Sequence, residues 1–348
     1  MRRIDRLREL IPENTAVYIT AYPDIFYYSL FQSADARLII SKSKAIIITD
    51  SRYTIQAKEQ SPDFELYDIK NGLKGAFSLV EEDNIGYQED NITAKSLELA
   101  KAAAESKEFL PMQREITSLR EIKEKAEIDR IRAAEGLGDE AFSYILERIE
   151  AGRSERDIAL ELEFYMRKNG ASGLSFETIV ASGARSAMPH GVASDKLIAK
   201  GDLVTLDFGC ILDGYCSDMT RTVAVGELSQ EGRVIYETVK TAQQTALDAV
   251  KVGARLSDID KAARDVITKA GFGENFGHSL GHSVGIEIHE TPCFSPKAEG
   301  LVQNGNVITV EPGIYIEGFG GVRIEDLTAV YDGRCEILSK STKELIIL

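Results

Sequence analysis

The second part of the chain repeats itself, and this repeat constrains the fold more than any other feature. AGRSERDIALELEFYMRKNGASG starts at residue 151, and VGARLSDIDKAARDVITKAGFGE starts at residue 252. The Asp-Ile pair and the closing glycine match without a gap, and both segments are interpreted as helices. Any helix can resemble another, but the shared order and spacing favour a true duplication.

Each repeated helix is followed by an apolar strand that carries one acid. KGDLVTLDFG (200–209) aligns with QNGNVITVEPG (303–313), so that Asp207 matches Glu311. Two helix–strand halves would then face each other around a pseudo-twofold axis, each with a carboxylate at the same place. The repeat therefore predicts a duplicated α+β domain.

The first of these strands continues into a predicted β-hairpin. Asp213 and Gly214 form a strong signal for a two-residue turn. This turn places Asp207 opposite Thr220. Asp218 then lies on the same face as Asp207 and diagonal to it, with Cβ atoms about 7–8 Å apart. We expect the two carboxylates to converge on a common ligand.

A second hairpin is predicted around the glycine-rich EGFGG. A three-residue loop centred on Gly318 would put Glu311 opposite Glu325. Pro312 cannot donate a hydrogen bond to a β-ladder, so a bulge that changes this register is the alternative.

Four carboxylates gathered in a core repel one another and lose their hydration, so they require neutralisation by protons or by cations. Such a set with one or two histidines suits a pair of divalent ions. Oxygen-rich ligands favour Mn²⁺ or Co²⁺, with Zn²⁺ as a further possibility. The alternative is that the acids are solvated and paired with Arg221 and Arg323.

The histidines are concentrated in GHSLGHSVGIEIHE at 277–290. This segment holds three of the four in the chain, and the fourth stands in PHG at 189–191. The histidines are His278, His282, His289 and His190. The segment also contains Gly277, Gly281 and Gly285, which would let the backbone approach the site closely because they lack side chains.

As an ordered set, these motifs resemble the pita-bread metallopeptidases: methionine aminopeptidase, prolidase and aminopeptidase P. The similar stretches are PHG, LDFG with SDMTRT, GHSLGHSVGIEIHE, VEPGIY and GVRIED, between about residue 120 and residue 348. The resemblance implies a pita-bread domain and two metal ions held by five side chains. These ligands are Asp207, Asp218, His282, Glu311 and Glu325.

The resemblance also implies roles for the other polar residues. His289 and His190 would contact the scissile carbonyl or its developing oxyanion, and His278 would be an additional pocket histidine that binds substrate. Two metal ions would bridge a water and lower its pKa. Glu311 would accept the proton from that water as general base. Arg323 would hold a ligand carboxylate or the substrate.

Residues 1–118 alternate strand and helix signals, which predicts a smaller α/β domain in front of the catalytic domain at 119–348. TAVYIT, ARLIIS and AIIITD have the composition of strands. TAKSLELAKAAAES is typical of a helix capped by Thr93. From Pro111 onward, apolar residues at helical spacing predict a long helical region.

FQSADARLIIS and DSRYTIQA resemble the creatinase-like N-terminal domain of aminopeptidase P and prolidase. This branch hydrolyses the bond before proline, so the resemblance implies peptides with proline at the second position as substrates, and a homodimer. QSADA departs from the glycine-rich loop common in that branch. The sequence leaves open whether the substrates are dipeptides or longer peptides.

Composition and charge argue against several other classes of protein. A net charge of −15 argues against nucleic acid and anionic membranes as partners. The basic N-terminal segment is interpreted as an amphipathic helix and not as a signal peptide. Four scattered cysteines indicate reduced thiols and a cytoplasmic location, with a Cys210–Cys216 disulfide as the alternative.

Two alternative functions share the resembling fold. Creatine amidinohydrolases work without metal and lack the five ligands, and binding modules have lost them. Because all five ligand positions hold acids or histidine here, the sequence favours the peptidase.

Overall fold

In a computed structural model, which describes residues 2–348, the chain divides into two units. The first ends at Arg120 and the second comprises Glu121–Leu348. The sequence placed this division near residue 118. Among the described residues, no helix combines the length and the apolar character that crossing a membrane requires.

The first unit is built on one mixed sheet. Its strands are β1 (Thr15–Ile19), β2 (Arg37–Ile40), β3 (Ala45–Thr49), β4 (Glu65–Asp68), β5 (Asn84–Tyr87) and β6 (Glu108–Pro111). They lie in the order β4-β3-β2-β1-β5-β6. The pairs within β1-β2-β3 are antiparallel and the outer pairs are parallel. The first three are the strands that the sequence predicted.

The helices of the first unit are α1 (Arg3–Leu10), α2 (Tyr22–Ser29), α3 (Thr54–Gln60), α4 (Gly72–Phe77), α5 (Ala94–Ala104) and α6 (Gln113–Thr117). Helix α5 begins where its cap predicted, because the hydroxyl of Thr93 accepts the backbone N–H of Ser96 at 3.2 Å.

The second unit carries four long helices and thirteen strands among the described residues. The helices are α7 (Lys125–Leu146), α8 (Glu155–Lys168), α9 (Gln230–Ala249) and α10 (Leu256–Lys269). The first strands are β7 (Gly173–Leu174), β8 (Ile179–Ser182), β9 (Leu203–Phe208), β10 (Cys210–Leu212), β11 (Tyr215–Cys216) and β12 (Met219–Ala224). The others are β13 (Gly281–Ser283), β14 (Glu290–Phe294), β15 (Val307–Val310), β16 (Gly313–Ile316), β17 (Gly320–Arg323), β18 (Asp326–Tyr331) and β19 (Arg334–Ile337).

The helical region predicted after Pro111 is interrupted between α6 and α7. A 3₁₀ turn at Ser118–Glu121 follows α6, and α7 starts anew at Lys125. Glu124 and Glu127 form a capping box, which satisfies backbone N–H groups at the start of α7. The apolar spacing alone did not reveal this break.

The structure repeats as the sequence does. Helices α8 and α10 both contain 14 residues. After them come Gly170 and Gly271, with φ of 111° and 90°, and the glycines before the acid-bearing strands, Gly201 and Gly305, have φ of 91° and 92°. A left-handed backbone favours glycine at each of these matched positions.

Each half has its own apolar core. In the first half, Ile158 of α8 and Leu206 of β9 belong to one buried cluster. In the second half, Ile259 of α10 and Ile308 of β15 belong to another. Each acid-bearing strand thus shares a buried apolar cluster with the repeated helix that precedes it.

Both hairpins have the predicted register. Asp207 pairs with Thr220 across β9 and β12. In the second hairpin, Gly313 pairs with Arg323 and Val310 pairs with Asp326, with the same offset on both sides of Pro312. No bulge displaces these pairs, because Pro312 lies in the gap between β15 and β16, where no ladder hydrogen bond is needed.

All four cysteines are free thiols. Burial raises the pKa of Cys210 to about 11 and that of Cys216 to about 12. Both side chains are therefore neutral thiols at ordinary pH, and the Cys210–Cys216 disulfide is not formed.

Candidate metal centre and active site

A cavity of about 510 Å³ in the second unit brings the predicted site residues together. Its lining includes all five predicted ligands: Asp207, Asp218, His282, Glu311 and Glu325. It also includes the other predicted residues: His190, His278, His289 and Arg323.

Most of the predicted ligand residues lie at strand ends or next to them. Asp207 is near the end of β9 and Asp218 immediately precedes β12. Glu311 immediately follows β15, and Glu325 occupies the gap between β17 and β18. His282 is the middle residue of β13. The two hairpins therefore each present two acids, as their registers predicted.

The ring of His282 is arranged as a metal ligand would be. Its Nδ1 lies 3.2 Å from the carbonyl oxygen of Ser283, which can only accept a hydrogen bond. Nδ1 therefore carries the proton, and Nε2 presents a lone pair. Nε2 lies 3.4 Å from a carboxylate oxygen of Asp218 and 3.4 Å from one of Glu311. Burial lowers the pKa of His282 to about 4, which keeps the ring neutral.

Three acids of the site, Asp218, Glu311 and Glu325, have raised pKa values. Burial, followed by the charges of Glu325 and Asp207, raises the pKa of Asp218 well above its usual value. Burial and the charge of Glu311 do the same for Glu325. Burial raises the pKa of Glu311 to about 8. Ionising this cluster near neutral pH therefore requires a compensating positive charge.

The donor set fits a divalent cation. One ligand atom each from Asp218, His282 and Glu325 lie within 4.8 Å of one another. Glu325 Oε1 is buried and has no hydrogen-bond partner among the described residues, so this oxygen is available for a cation. Carboxylate oxygens with one imidazole are ligands that Mn²⁺, Co²⁺ or Zn²⁺ accepts.

Arg323 is buried and holds one of these carboxylates. Its Nη2 donates to Asp207 Oδ2 at 2.6 Å, and its Nε donates to the hydroxyl of Thr220 at 3.0 Å. Its Nη1 donates to the hydroxyl oxygen of Tyr315 at 2.8 Å. Of the two roles that the sequence left open for Arg323, this geometry favours orientation of a ligand over contact with substrate.

Arg221 does not neutralise the four acids with its side chain. It is buried and pairs with Asp326 at 2.7 Å. Its guanidinium also donates to the backbone carbonyls of Thr220 and Glu325. The alternative to a metal site was that the four acids are solvated and paired with arginines. Arg221 does not form such a pair with any of them, because its partner is Asp326.

His278 is engaged at both ring nitrogens. The hydroxyl of Tyr315 accepts from Arg323 and donates to His278 Nε2 at 3.0 Å. His278 Nδ1 then carries the proton and donates to the carbonyl oxygen of Ser279 at 2.8 Å. Burial lowers the pKa of His278 to about 4. The ring lines the cavity as a neutral group whose orientation the chain itself determines.

The other two histidines have a different environment. His190 and His289 are exposed and line the cavity. The ring of His289 lies edge-on to that of His282, with centroids 4.4 Å apart. His289 is therefore an exposed donor directly beside the predicted ligand His282.

The rest of the cavity is largely apolar. It is lined by Phe176, Ile179, Pro189, Val192, Ile288 and Cys293. A nonpolar ring or side chain would bury its surface here, while a polar group would face the acids and histidines.

Three residues that support the site were not predicted from the sequence. Thr220 donates to Glu325 Oε2 at 2.7 Å, and Tyr315 links Arg323 to His278. Glu135 of α7 is fully buried and accepts the backbone N–H of Asp218 at 3.1 Å. Glu135 had a signal in the sequence, because it is an acid on the largely apolar face of a helix.

Both parts of the chain match known families. Residues 129–332 match metallopeptidase family M24. Residues 3–122 match the creatinase/prolidase N-terminal domain. Together these matches span nearly all of the described chain.

Relatives that match the whole chain include proteins described as Xaa-Pro peptidases. A Xaa-Pro dipeptidase of Pyrococcus furiosus is 38% identical over 99% of this chain and 99% of its own. Among solved structures, a Xaa-Pro dipeptidase from Bacillus anthracis has a TM-score of 0.96 at 43% identity, covering 99% of both chains. An X-Pro aminopeptidase from Thermotoga maritima has a TM-score of 0.93 at 37% identity, covering 99% of this chain and 100% of that one. The chain therefore belongs to metallopeptidase family M24 and carries the creatinase/prolidase N-terminal domain.

Proposed function

We propose that this protein is a metal-dependent peptidase that hydrolyses the bond before proline in Xaa-Pro peptides. The observation that carries the proposal is the cluster of four acids and His282 in one cavity, with exposed histidines beside it. Relatives that are described as Xaa-Pro dipeptidase or X-Pro aminopeptidase, similar over the whole chain, support the substrate class.

The proposed ligands are Asp207, Asp218, His282, Glu311 and Glu325, and they would hold two divalent ions, with Mn²⁺ preferred. When bound, such ions polarise a carbonyl oxygen and lower the pKa of an attacking water. The raised pKa values of Asp218, Glu311 and Glu325 support this assignment, because each carboxylate gains from a nearby cation.

The reaction then depends on the chain's own proton-transfer groups and hydrogen-bond donors. Glu311 takes the proton from the attacking water at a carboxylate oxygen and acts as general base. Thr309 holds this carboxylate, since its hydroxyl donates to Glu311 Oε1 at 3.2 Å. His289 donates a hydrogen bond to the carbonyl oxygen of the scissile bond, where negative charge develops.

His190 orients the peptide and assists the leaving nitrogen. The nitrogen before proline carries no hydrogen, so a peptidase that binds its substrate through this N–H would fail on such a bond. The apolar side chains of Ile179, Val192 and Ile288 provide a surface for the proline ring.

A creatinase-like hydrolase that works without metal, or a binding module, is less compatible with the site. Neither would require three acids whose burial and mutual repulsion raise their pKa values. The expected homodimer and the cytoplasmic location stay predictions.

Hydrolysis of three peptide series tests the proposal. Purified protein loaded with Mn²⁺ should cleave Xaa-Pro or Xaa-Pro-Yaa peptides, and a chelator should abolish the activity. Xaa-Ala peptides of matched length are the control. Equal cleavage of the alanine series would contradict the assignment of substrate. Activity that survives complete removal of metal would contradict the assignment of mechanism. Comparing dipeptides with tripeptides also decides the length of the substrate.

Metal analysis tests the stoichiometry separately. Fully loaded, active protein should contain two ions per chain. A single ion at full activity would rule out a mechanism that uses two.

A further inference from the structure

Residues 183–194, here called the His190 loop, follow strand β8 and supply three residues of the cavity. These are Pro189, His190 and Val192. The loop starts with a 3₁₀ turn at Gly183–Ala187, and much of the remainder is exposed. Such a loop needs specific anchors if it is to hold His190 in one place.

Ser182, immediately before the His190 loop, and Ser194, its last residue, are bound to a single carboxylate, that of Glu155. Its Oε1 accepts the backbone N–H and the hydroxyl of Ser182, at 2.7 and 2.8 Å. Its Oε2 accepts Arg185 Nε at 2.9 Å, and the backbone N–H and hydroxyl of Ser194, at 3.1 and 2.6 Å. The side chain of Glu155 is completely buried.

The ionised form of Glu155 suits these partners. Five donors surround its two oxygens, and hydrogen bonds to a charged acceptor are stronger than neutral ones. Glu155 is also the first residue of α8, where the helix dipole favours negative charge. Because this carboxylate is buried and all its hydrogen bonds come from protein groups, we infer that its role is to hold those groups together.

Two further contacts complete the support of the loop. Arg185 also donates to the carbonyl oxygen of Val192 at 2.7 Å, on the other side of His190. The backbone N–H of Gly321 in β17 donates to the hydroxyl of Ser186 at 2.8 Å. Glu155 therefore anchors the base of the loop, while β17 supports its first turn.

We propose that Glu155 is a positioning residue that fixes the His190 loop so that His190 faces the reacting peptide. The substrate role of His190 rests on the proposed function. The anchoring of the loop does not depend on it.

The second half of the domain uses the same type of anchor. Asp260 of α10 is buried, binds Arg264 through two hydrogen bonds of 2.8 and 2.9 Å, and accepts the backbone N–H of Leu280 at 3.1 Å. Arg264 in turn donates to the carbonyl oxygens of Phe276 and His278, at 2.9 Å each. Each repeated helix thus carries a buried acid that holds a histidine-bearing segment, which supports a positioning role for Glu155.

Glu155→Gln tests the proposal, because an amide would turn N–H donors toward the donors of Ser182 or Ser194. Hydrogen exchange of peptides covering 183–194 should become faster, and kcat/KM should fall by about 10- to 100-fold, the scale of a small displacement of a catalytic group. Metal content should not change, since the proposed ligands all lie outside the loop.

Glu161→Gln is the matched control. Glu161 is another acid of α8, and it accepts the hydroxyl of Tyr144 at 2.8 Å without contacting the His190 loop. This variant should keep the exchange rates of the loop and the activity of the unmodified protein. Ser194→Ala removes one hydroxyl that donates to Glu155. It should give a smaller effect in the same direction, and it allows the anchoring to be tested if Glu155→Gln does not fold.

Combination with His190→Ala separates positioning from general damage. If Glu155 acts through His190, the double variant should be no slower than His190→Ala alone. Unchanged exchange of 183–194 in both Glu155→Gln and Ser194→Ala would overturn the anchoring. Rate losses that multiply in the double variant would overturn the positioning role. Full activity of His190→Ala would contradict the proposed substrate contact and would leave the exchange result as the test of anchoring.

Discussion

At the scale of single residues, Glu311 is predicted to combine metal binding with proton transfer. Glu311→Gln keeps the shape of the side chain and one oxygen ligand but cannot take a proton from water. We expect turnover to fall by about 10²–10⁴, the usual contribution of a general base, with further loss from weaker metal binding. Steady-state rates with saturating Mn²⁺ and a thermal melt check this prediction. A variant that retains more than a tenth of the activity would exclude Glu311 as the base.

The two neighbouring histidines should respond differently to truncation. His282→Ala removes a proposed ligand, so the protein should lose metal. His289→Ala removes an exposed donor beside the ligand set, so metal should stay while the rate falls by about 10²–10³, the scale of one oxyanion donor.

Metal content and rate should be measured together on both histidine variants. If His289→Ala loses metal as readily as His282→Ala does, the division between ligand and substrate contact is wrong. His289 would then belong to the metal site.

At the scale of elements, the glycines of the histidine-rich segment are not equivalent. A Cβ on Gly281, the first residue of β13, would lie 1.9 Å from the backbone oxygen of Thr309. A Cβ on Gly285 would lie 2.4 Å from Glu290 Oε2. Close neighbours therefore leave no room for a side chain at these two positions. At Gly277 a Cβ would have no neighbour within 4 Å, so space does not require glycine there.

Gly281→Ala and Gly277→Ala form a matched pair that tests this difference. Gly281→Ala forces strand β13 away from the backbone of Thr309, and we expect a loss of about 1–3 kcal/mol or more in the free energy of unfolding. The shift also moves His282, so metal binding should weaken. Gly277→Ala should stay within about 0.5 kcal/mol of the unmodified protein. Urea unfolding of both variants is the measurement, and equal stabilities would show that β13 can move without cost.

At the scale of the whole molecule, removal of metal should make stability depend on pH. Burial raises the pKa of Glu135 and that of Glu311 to about 8. The same groups ionise near pH 4.5 in an unfolded chain. From about pH 7 to pH 8 the folded protein therefore binds more protons than the unfolded one, and its free energy of unfolding falls as the pH rises. His278 and His282 do not cancel this effect, because their pKa values are lowered to about 4 and an unfolded histidine titrates near 6.5.

We therefore expect the Tm of chelated protein to be lower at pH 8 than at pH 7, and lower than that of loaded protein at both. Loading with Mn²⁺ should reduce the decline, because the ions take over the neutralising role of the proton at the proposed ligand Glu311, while the contribution of Glu135 remains. Glu135→Gln removes one acid that is not a proposed ligand and should reduce the decline in chelated protein. A Tm that is insensitive to both chelator and pH would show that the acids are already neutralised by other groups.

The family could be inferred from the sequence because the motifs resemble those of known peptidases, whereas the repeat and both hairpin registers depend on short-range rules. Turn residues determine which strand positions face each other, as the pairing of Asp207 with Thr220 shows. Matched glycines such as Gly201 and Gly305 mark the duplication, because both positions have a left-handed backbone that favours glycine. The order of the motifs along the chain was enough to identify the candidate ligands.

Only the tertiary structure decided how residues distant in the sequence support that set. The hydrogen bonds of Glu135 to Asp218, of Tyr315 to His278, and the anchoring of two loop ends by Glu155 connect segments that no local pattern relates. Local spacing also did not predict the break before α7, where a capping box at Glu124 starts a new helix. Turn and helix signals act over a few residues, whereas the partners of a buried polar group are determined by the packing of the whole domain.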